Sequence, residues 1–68
     1  MTTITLNGAR REIPEDVSTV SQLLVWLDLD PAPVLVERNG AAVLSREFAE
    51  EPIADGDRIE IVRMVAGG

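Results

Sequence analysis

Two Asn-Gly dipeptides, Asn7-Gly8 and Asn39-Gly40, divide the chain into short paired segments. A two-residue hairpin turn of type I′ needs positive φ at both central positions, and asparagine followed by glycine adopts that conformation at little cost. Each dipeptide therefore predicts a chain reversal between two strands. Before the first, Ile4-Thr5-Leu6 alternates apolar and polar. After it, Ala9 to Ile13 returns, and Pro14 ends the strand because it has no N–H for a ladder. Around the second, Val34-Leu35-Val36 reads as a strand buried on at least one face. Ala42-Val43-Leu44 reads as its short partner.

One helix lies between the hairpins. Thr19-Val20-Ser21-Gln22 fits a capping box, with a hydroxyl at the N-cap and a glutamine three residues on. Val20, Leu23, Leu24 and Leu27 then fall at i, i+3, i+4 and i+7, a single apolar stripe. Pro31 and Pro33 are expected to close the helix. Trp26 flanks the stripe and reads as the margin of the core rather than a partner contact, while Val25 lies nearly opposite and is expected to be exposed. Ser45 to Pro52 is polar and acidic around Phe48 and predicts a turn of helix, with Ile53 as a further anchor. Asp55-Gly56-Asp57 reads as a solvated turn. Arg58 to Val62 alternates again, with Ile59 and Ile61 on one face and Glu60 and Val62 on the other.

The order β-β-α-β-β-turn-β predicts an α+β fold of the β-grasp type, a mixed sheet of four to five strands packed on one helix. The opening hairpin is expected to lay its apolar face on the helix, and the last strand to pair beside the first. The expected core is Ile4, Leu6, Leu23, Leu24, Leu27, Ile59 and Ile61. Residues 1–63 form one domain and 64–68 a tail, Met64-Val65-Ala66-Gly67-Gly68.

Composition narrows the function. A chain of 68 residues buries only about 60% of its unfolded surface, which leaves no room for a deep catalytic cleft. Cysteine, histidine and lysine are all absent, the six basic residues being arginine. The usual nucleophiles, general base and Schiff-base amine are therefore missing. Asp55 and Asp57 flank a glycine, but two carboxylates in a turn are poor grounds for a metal site. A net charge of −6 argues against nucleic acid, which attracts a basic surface, and favours a basic protein partner. No apolar run approaches a membrane span. Residues 1–15 lack the pattern of a signal peptide, so the cytoplasm is the expected compartment.

The last two residues suggest what such a domain could do. Gly67-Gly68 has no side chains, so an enzyme's narrow channel could admit it and reach the Gly68 carboxylate. A frayed terminus is the alternative reading of the same residues.

In order and spacing, these segments resemble the ThiS-type ubiquitin-like sulfur carriers of the ThiS/MoaD superfamily. The resemblance rests on Ile4-Thr5-Leu6-Asn7-Gly8, Thr19-Val20-Ser21-Gln22-Leu23-Leu24, Val36-Glu37-Arg38-Asn39-Gly40, Asp55-Gly56-Asp57-Arg58-Ile59-Glu60-Ile61-Val62 and Gly67-Gly68. It spans the chain. Ala66 departs from a longer glycine run, and Ser45 from a proline often found there. The resemblance implies a protein co-substrate rather than an enzyme, with no cofactor of its own. Its terminal carboxylate, on Gly68, would be adenylated by a ubiquitin-activating-type (ThiF-like) adenylyltransferase. Sulfur from a cysteine desulfurase route would convert it to a thiocarboxylate, which would donate sulfur to thiazole synthase (ThiG-like) in thiamine biosynthesis. Gly67 and Ala66 would thread with it. Because Glu60 and Val62 face outward on the strand that leads into the tail, they and Met64 are the expected docking residues.

Two other readings share much of this pattern. The small subunit of molybdopterin synthase has the same fold and Gly-Gly end, but it usually runs longer and carries prolines where this chain has Arg63-Met64-Val65. A β-grasp interaction module without covalent chemistry would not need the terminal glycines. A mass gain of about 16 Da, sulfur for oxygen on the carboxylate, separates a sulfur carrier from such a module.

Overall fold

The computed structural model describes residues 1–30 and 33–64. Five strands and one helix follow in the order β1 (Thr2–Leu6), β2 (Ala9–Ile13), α1 (Val20–Trp26), β3 (Val34–Arg38), β4 (Ala41–Val43) and β5 (Arg58–Arg63), with a 3₁₀ turn at Ser45–Glu47 before β5. The sheet order is β2-β1-β5-β3-β4. The two hairpins are antiparallel, β5 runs parallel to β1, and β5 runs antiparallel to β3. The α+β, β-grasp expectation holds, including the pairing of the last strand with the first. β1 starts at Thr2, earlier than the alternation suggested, and β5 continues to Arg63.

Both Asn-Gly turns form as expected. Asn7 and Asn39 have φ of 49° and 52°, and the glycines after them 83° and 85°. The helix opens on its capping box: Gln22 N–H donates to Thr19 Oγ1 (3.2 Å), and Thr19 N–H to Gln22 Oε1 (3.2 Å). The next two amides, Val20 and Ser21, donate to the carbonyls of Glu51 and Phe48. The segment after β4 thus satisfies helix N–H groups that have no partner within the helix.

The helix ends differently from the expectation. Pro31 lies outside the described residues, and Pro33 follows the last helical residue by seven positions. The stop lies earlier, at Asp28, whose φ is 60°. Its N–H donates to Val25 O, and Leu29 N–H donates to Leu24 O. This is a Schellman termination, with aspartate where glycine is usual. Leu29 turns back onto the core beside Leu24.

The core lies between the helix and one face of the sheet. Ile4, Ile13, Leu23, Ile59 and Val20 are its largest fully buried side chains, and Val17, Leu24, Val34, Val36, Val43, Ile53 and Ile61 complete it. Leu6 and Leu27, expected inside, are half-buried and pack against its margin with Leu29 and Phe48. The opening hairpin contributes unequally, since β2 buries only Ile13. Arg11, on the helix-facing side of β2 opposite Ile4, lays its guanidinium over Trp26 at 5.2 Å from the ring centre. Trp26, expected at the core's margin, is instead exposed, at 39%, and its ring meets an arginine.

Candidate functional site

β5 is the central strand of the sheet, so the last described residues lie at its middle. Hydrogen bonds on both sides hold that point. On the β3 side, Met64 N–H donates to the Pro33 carbonyl (2.9 Å). On the β1 side, the ladder stops at Leu6↔Ile59. There Asn7 N–H donates to Ile59 O (2.9 Å), and the Asn7 side chain takes both backbone groups of Ile61. Oδ1 accepts from Ile61 N–H (2.8 Å), and Nδ2 donates to Ile61 O (3.1 Å). The expected reacting residue, Gly68, and its neighbours Gly67 and Ala66 lie outside the described residues.

The start of β5 is fixed just as firmly. Asn39 Oδ1 accepts from Arg58 N–H (2.8 Å), and Asn39 Nδ2 donates to Asp57 Oδ1 (3.0 Å). Asp57 Oδ2 accepts from Arg38 Nε (2.7 Å) and Ala54 N–H (2.8 Å). Arg38 also reaches Glu51 (3.3 Å). Burial favours the neutral Asp57 carboxyl, but the hydrogen bonds from Arg38, Ala54 and Asn39 and the arginine's charge outweigh it. The carboxyl is held below its ordinary range. The hydrogen bond to Asp57 is the main cause that raises the Arg38 guanidinium. The solvated-turn expectation thus fails for Asp57, which is 7% exposed. It is a buried anchor for the turn. Asp55 is exposed, but its Oδ1 accepts from Thr3 N–H (2.7 Å). Both carboxylates are accounted for by the fold, and no group of side chains suited to a metal occurs among the described residues.

The outward face of the sheet carries the expected docking residues. Glu60, Val62 and Met64 are all exposed. Register adds residues that the sequence reading did not single out. Leu35 stands directly opposite Val62, and Glu37 directly opposite Glu60. Leu35 and Val62 are each 58% exposed, with Leu44 at 46% and Met64 at 44%. Leu35, Leu44, Met64 and Pro33 line an open groove of about 670 Å³ that reaches round to Phe48 and Leu24. The alternation Val34-Leu35-Val36 is the signal that could have found Leu35, since only one face of that strand is covered by the helix. Opposed glutamates repel across a strand pair, and neither makes an ion pair among the described residues. The result is an apolar patch with an acidic border beside the strand's exit, a surface suited to a protein partner. No described helix is long and apolar enough to cross a membrane.

The chain is similar to known proteins over nearly its whole length. The family model described as the ThiS family matches residues 4–68. The chain is 36% identical to the sulfur carrier protein ThiS of Bacillus subtilis, over 93% of this chain and 96% of that one. It is 37% identical to part of a thiazole synthase of Paramagnetospirillum magneticum; the match takes in 96% of this chain but only 20% of the synthase. Among solved structures it is similar to the thiamine biosynthesis protein ThiS of Geobacter metallireducens, with a TM-score of 0.82 and 30% identity over 98% of this chain and all of that one.

Proposed function

Since the chain belongs to the ThiS family, we propose that it works as a sulfur carrier in thiamine biosynthesis, with Gly68 as the residue that bears the sulfur. The observation that carries this reading is a match that runs through Gly67-Gly68. A carboxylate oxygen is a poor leaving group. Attack of the Gly68 carboxylate on the α-phosphorus of ATP releases pyrophosphate and gives an acyl adenylate. A persulfide supplied through a cysteine desulfurase then attacks the carbonyl and AMP leaves; a thiolate on the partner cleaves the S–S bond of the resulting acyl disulfide, forming a disulfide with the persulfide's carrier and releasing the thiocarboxylate. A chain without cysteine has no side-chain thiol to bear sulfur, so the terminus is the place for it. Met64 to Gly68, fully extended, reaches about 16 Å, enough to enter a partner's active site while the domain docks outside.

Two partners follow. A ThiF-like adenylyltransferase performs the activation. A ThiG-like thiazole synthase accepts the sulfur, and the presence of a similar stretch within a thiazole synthase chain supports that pairing. Docking uses the outward face: Val62, Met64, Leu35 and Leu44 supply apolar contact, and Glu60 and Glu37 face basic groups. The protein is a co-substrate, and the chemistry belongs to its partners.

The test is ATP-dependent adenylation by the cognate activating enzyme. Deleting Gly68, or adding one residue after it, is expected to abolish activation while circular dichroism stays native. Normal adenylation of an extended, untrimmed chain would sink the carrier reading. The loaded protein is expected to gain about 16 Da, the difference between sulfur and oxygen.

A further inference from the structure

The Asn7 side chain does something a hairpin turn does not require. In β5, the N–H and C=O of Ile61 point away from β3, toward a position that β1 no longer occupies, because its ladder ends at Leu6↔Ile59. Asn7 fills that position with an amide, which donates to the carbonyl and accepts from the N–H as another strand would. Beside it lies a recess of about 280 Å³ lined by Leu6, Leu27, Leu29 and Arg63, and no further described strand supports this edge of β5. Ile61 is three residues before Met64, where the opposite edge makes its last described contact, with Pro33.

We propose that Asn7 is a positioning residue for activation: its amide clamps the final strand at the root of the tail and fixes the direction in which the chain leaves the sheet. The inference rests on the sulfur-carrier reading. It follows from reach. A docked domain must deliver a carboxylate several residues away to a fixed point, so a swing at Ile61–Met64 is amplified toward the end of the chain. A misplacement of about 1 Å at the reacting atom can cost on the order of 100-fold in rate.

The fold supplies a matched control. Asn39 sits in the same kind of turn, with nearly the same φ, and also holds β5 through its side chain, but at Arg58, the far end from the tail. If these asparagines only stabilise the fold, substituting either should impair activation in proportion to lost stability. If Asn7 positions the tail, the two variants should differ in kind.

The experiment compares Asn7→Gly and Asn39→Gly, both of which keep a residue at ease with positive φ. Steady-state adenylation by the activating enzyme is measured with the folded fraction fixed by circular dichroism. Asn7→Gly is expected to lower kcat at least about 10-fold, on the misplacement argument, with KM nearly unchanged because the docking face is intact. Asn39→Gly is expected to retain both parameters. Should Asn7→Gly fail to fold, Asn7→Asp, which keeps the acceptor for Ile61 N–H and loses the donor, serves in its place. In the free protein, ¹⁵N relaxation should show Arg63 and Met64 losing order in the Asn7 variant and keeping it in the Asn39 variant. An unchanged kcat, parallel losses in the two variants, or unchanged order at Arg63 and Met64 would each overturn the proposal. Wild-type protein that is never adenylated would instead remove the sulfur-carrier reading, and the relaxation data alone would then decide whether Asn7 orders the strand's end.

Discussion

The Asp57 carboxylate accepts hydrogen bonds from Arg38, Asn39 and Ala54 beneath the second hairpin. Its native pKa lies below its ordinary value. A carboxyl whose pKa is depressed on folding contributes stability that is complete above the unfolded value, about 3.9 for aspartate. That contribution is lost as pH falls through the lower native value. Urea unfolding should therefore show a level midpoint through neutral pH and a decline below about pH 4. Asp57→Asn should cost about 1.5–3 kcal/mol at pH 7, the range for a hydrogen bond to a charged group, because it leaves Glu51 as the only carboxylate paired with Arg38 among the described residues. The gap between variant and wild type should narrow as the wild-type carboxyl protonates. A gap that stays constant down to pH 3 would show that the charge on Asp57 contributes nothing. Nothing in Asp55-Gly56-Asp57 distinguishes the two carboxylates locally. What separates them is an arginine and an asparagine from the β3–β4 hairpin, brought there by tertiary structure.

Among the elements, the helix was the most legible at its start and the least at its end. The capping box depends on residues three apart, so the pattern Thr19-Ser21-Gln22 carried it. The stop depends on Asp28 adopting positive φ, which aspartate does only when the surroundings compensate. Here Leu29, returning to the core, provides that compensation. The stripe itself was clear, although Leu27 lies too near the helix end to be fully covered. Leu24 is 3% exposed in the middle of the stripe. Leu24→Ala should destabilise the domain by about 2–5 kcal/mol. For 68 residues, a total of about 3–10 kcal/mol is expected at 0.05–0.15 kcal/mol per residue, so this single change approaches the limit. A loss under about 1 kcal/mol in urea unfolding would mean that α1 does not bury this stripe.

At the scale of the whole molecule, periodicity placed the strands, and the register of β3 against β5 placed the surface. Val62 and Glu60 could be seen from one strand's alternation. Leu35 and Glu37 could not be joined to them before the pairing was known. With a net charge of −6 and opposed glutamates on the proposed docking face, association with the proposed activating enzyme should slow as salt rises. Screening shortens to about 8 Å at physiological ionic strength. Stopped-flow association should show this dependence, and Val62→Asp should weaken binding while the domain stays folded. Salt-insensitive association together with normal binding of Val62→Asp would move the contact to the helix side, around Trp26.

The sheet's middle strand is the last of the five in the sequence, and among the described strands the two hairpins pair with it and not with each other. During synthesis from the N-terminus, β1–β2, the helix and β3–β4 are all made before anything can join them. Until residues 58–63 clear the ribosome, the core has no floor at its centre, and Ile59 and Ile61 are missing from it. The sheet can thus close only once β5 has been made. A polypeptide stalled before β5 is expected to stay open to proteases, because Ile59 and Ile61 are missing from its core. The strand that completes the core is therefore the same one that leads to the proposed sulfur-bearing residue.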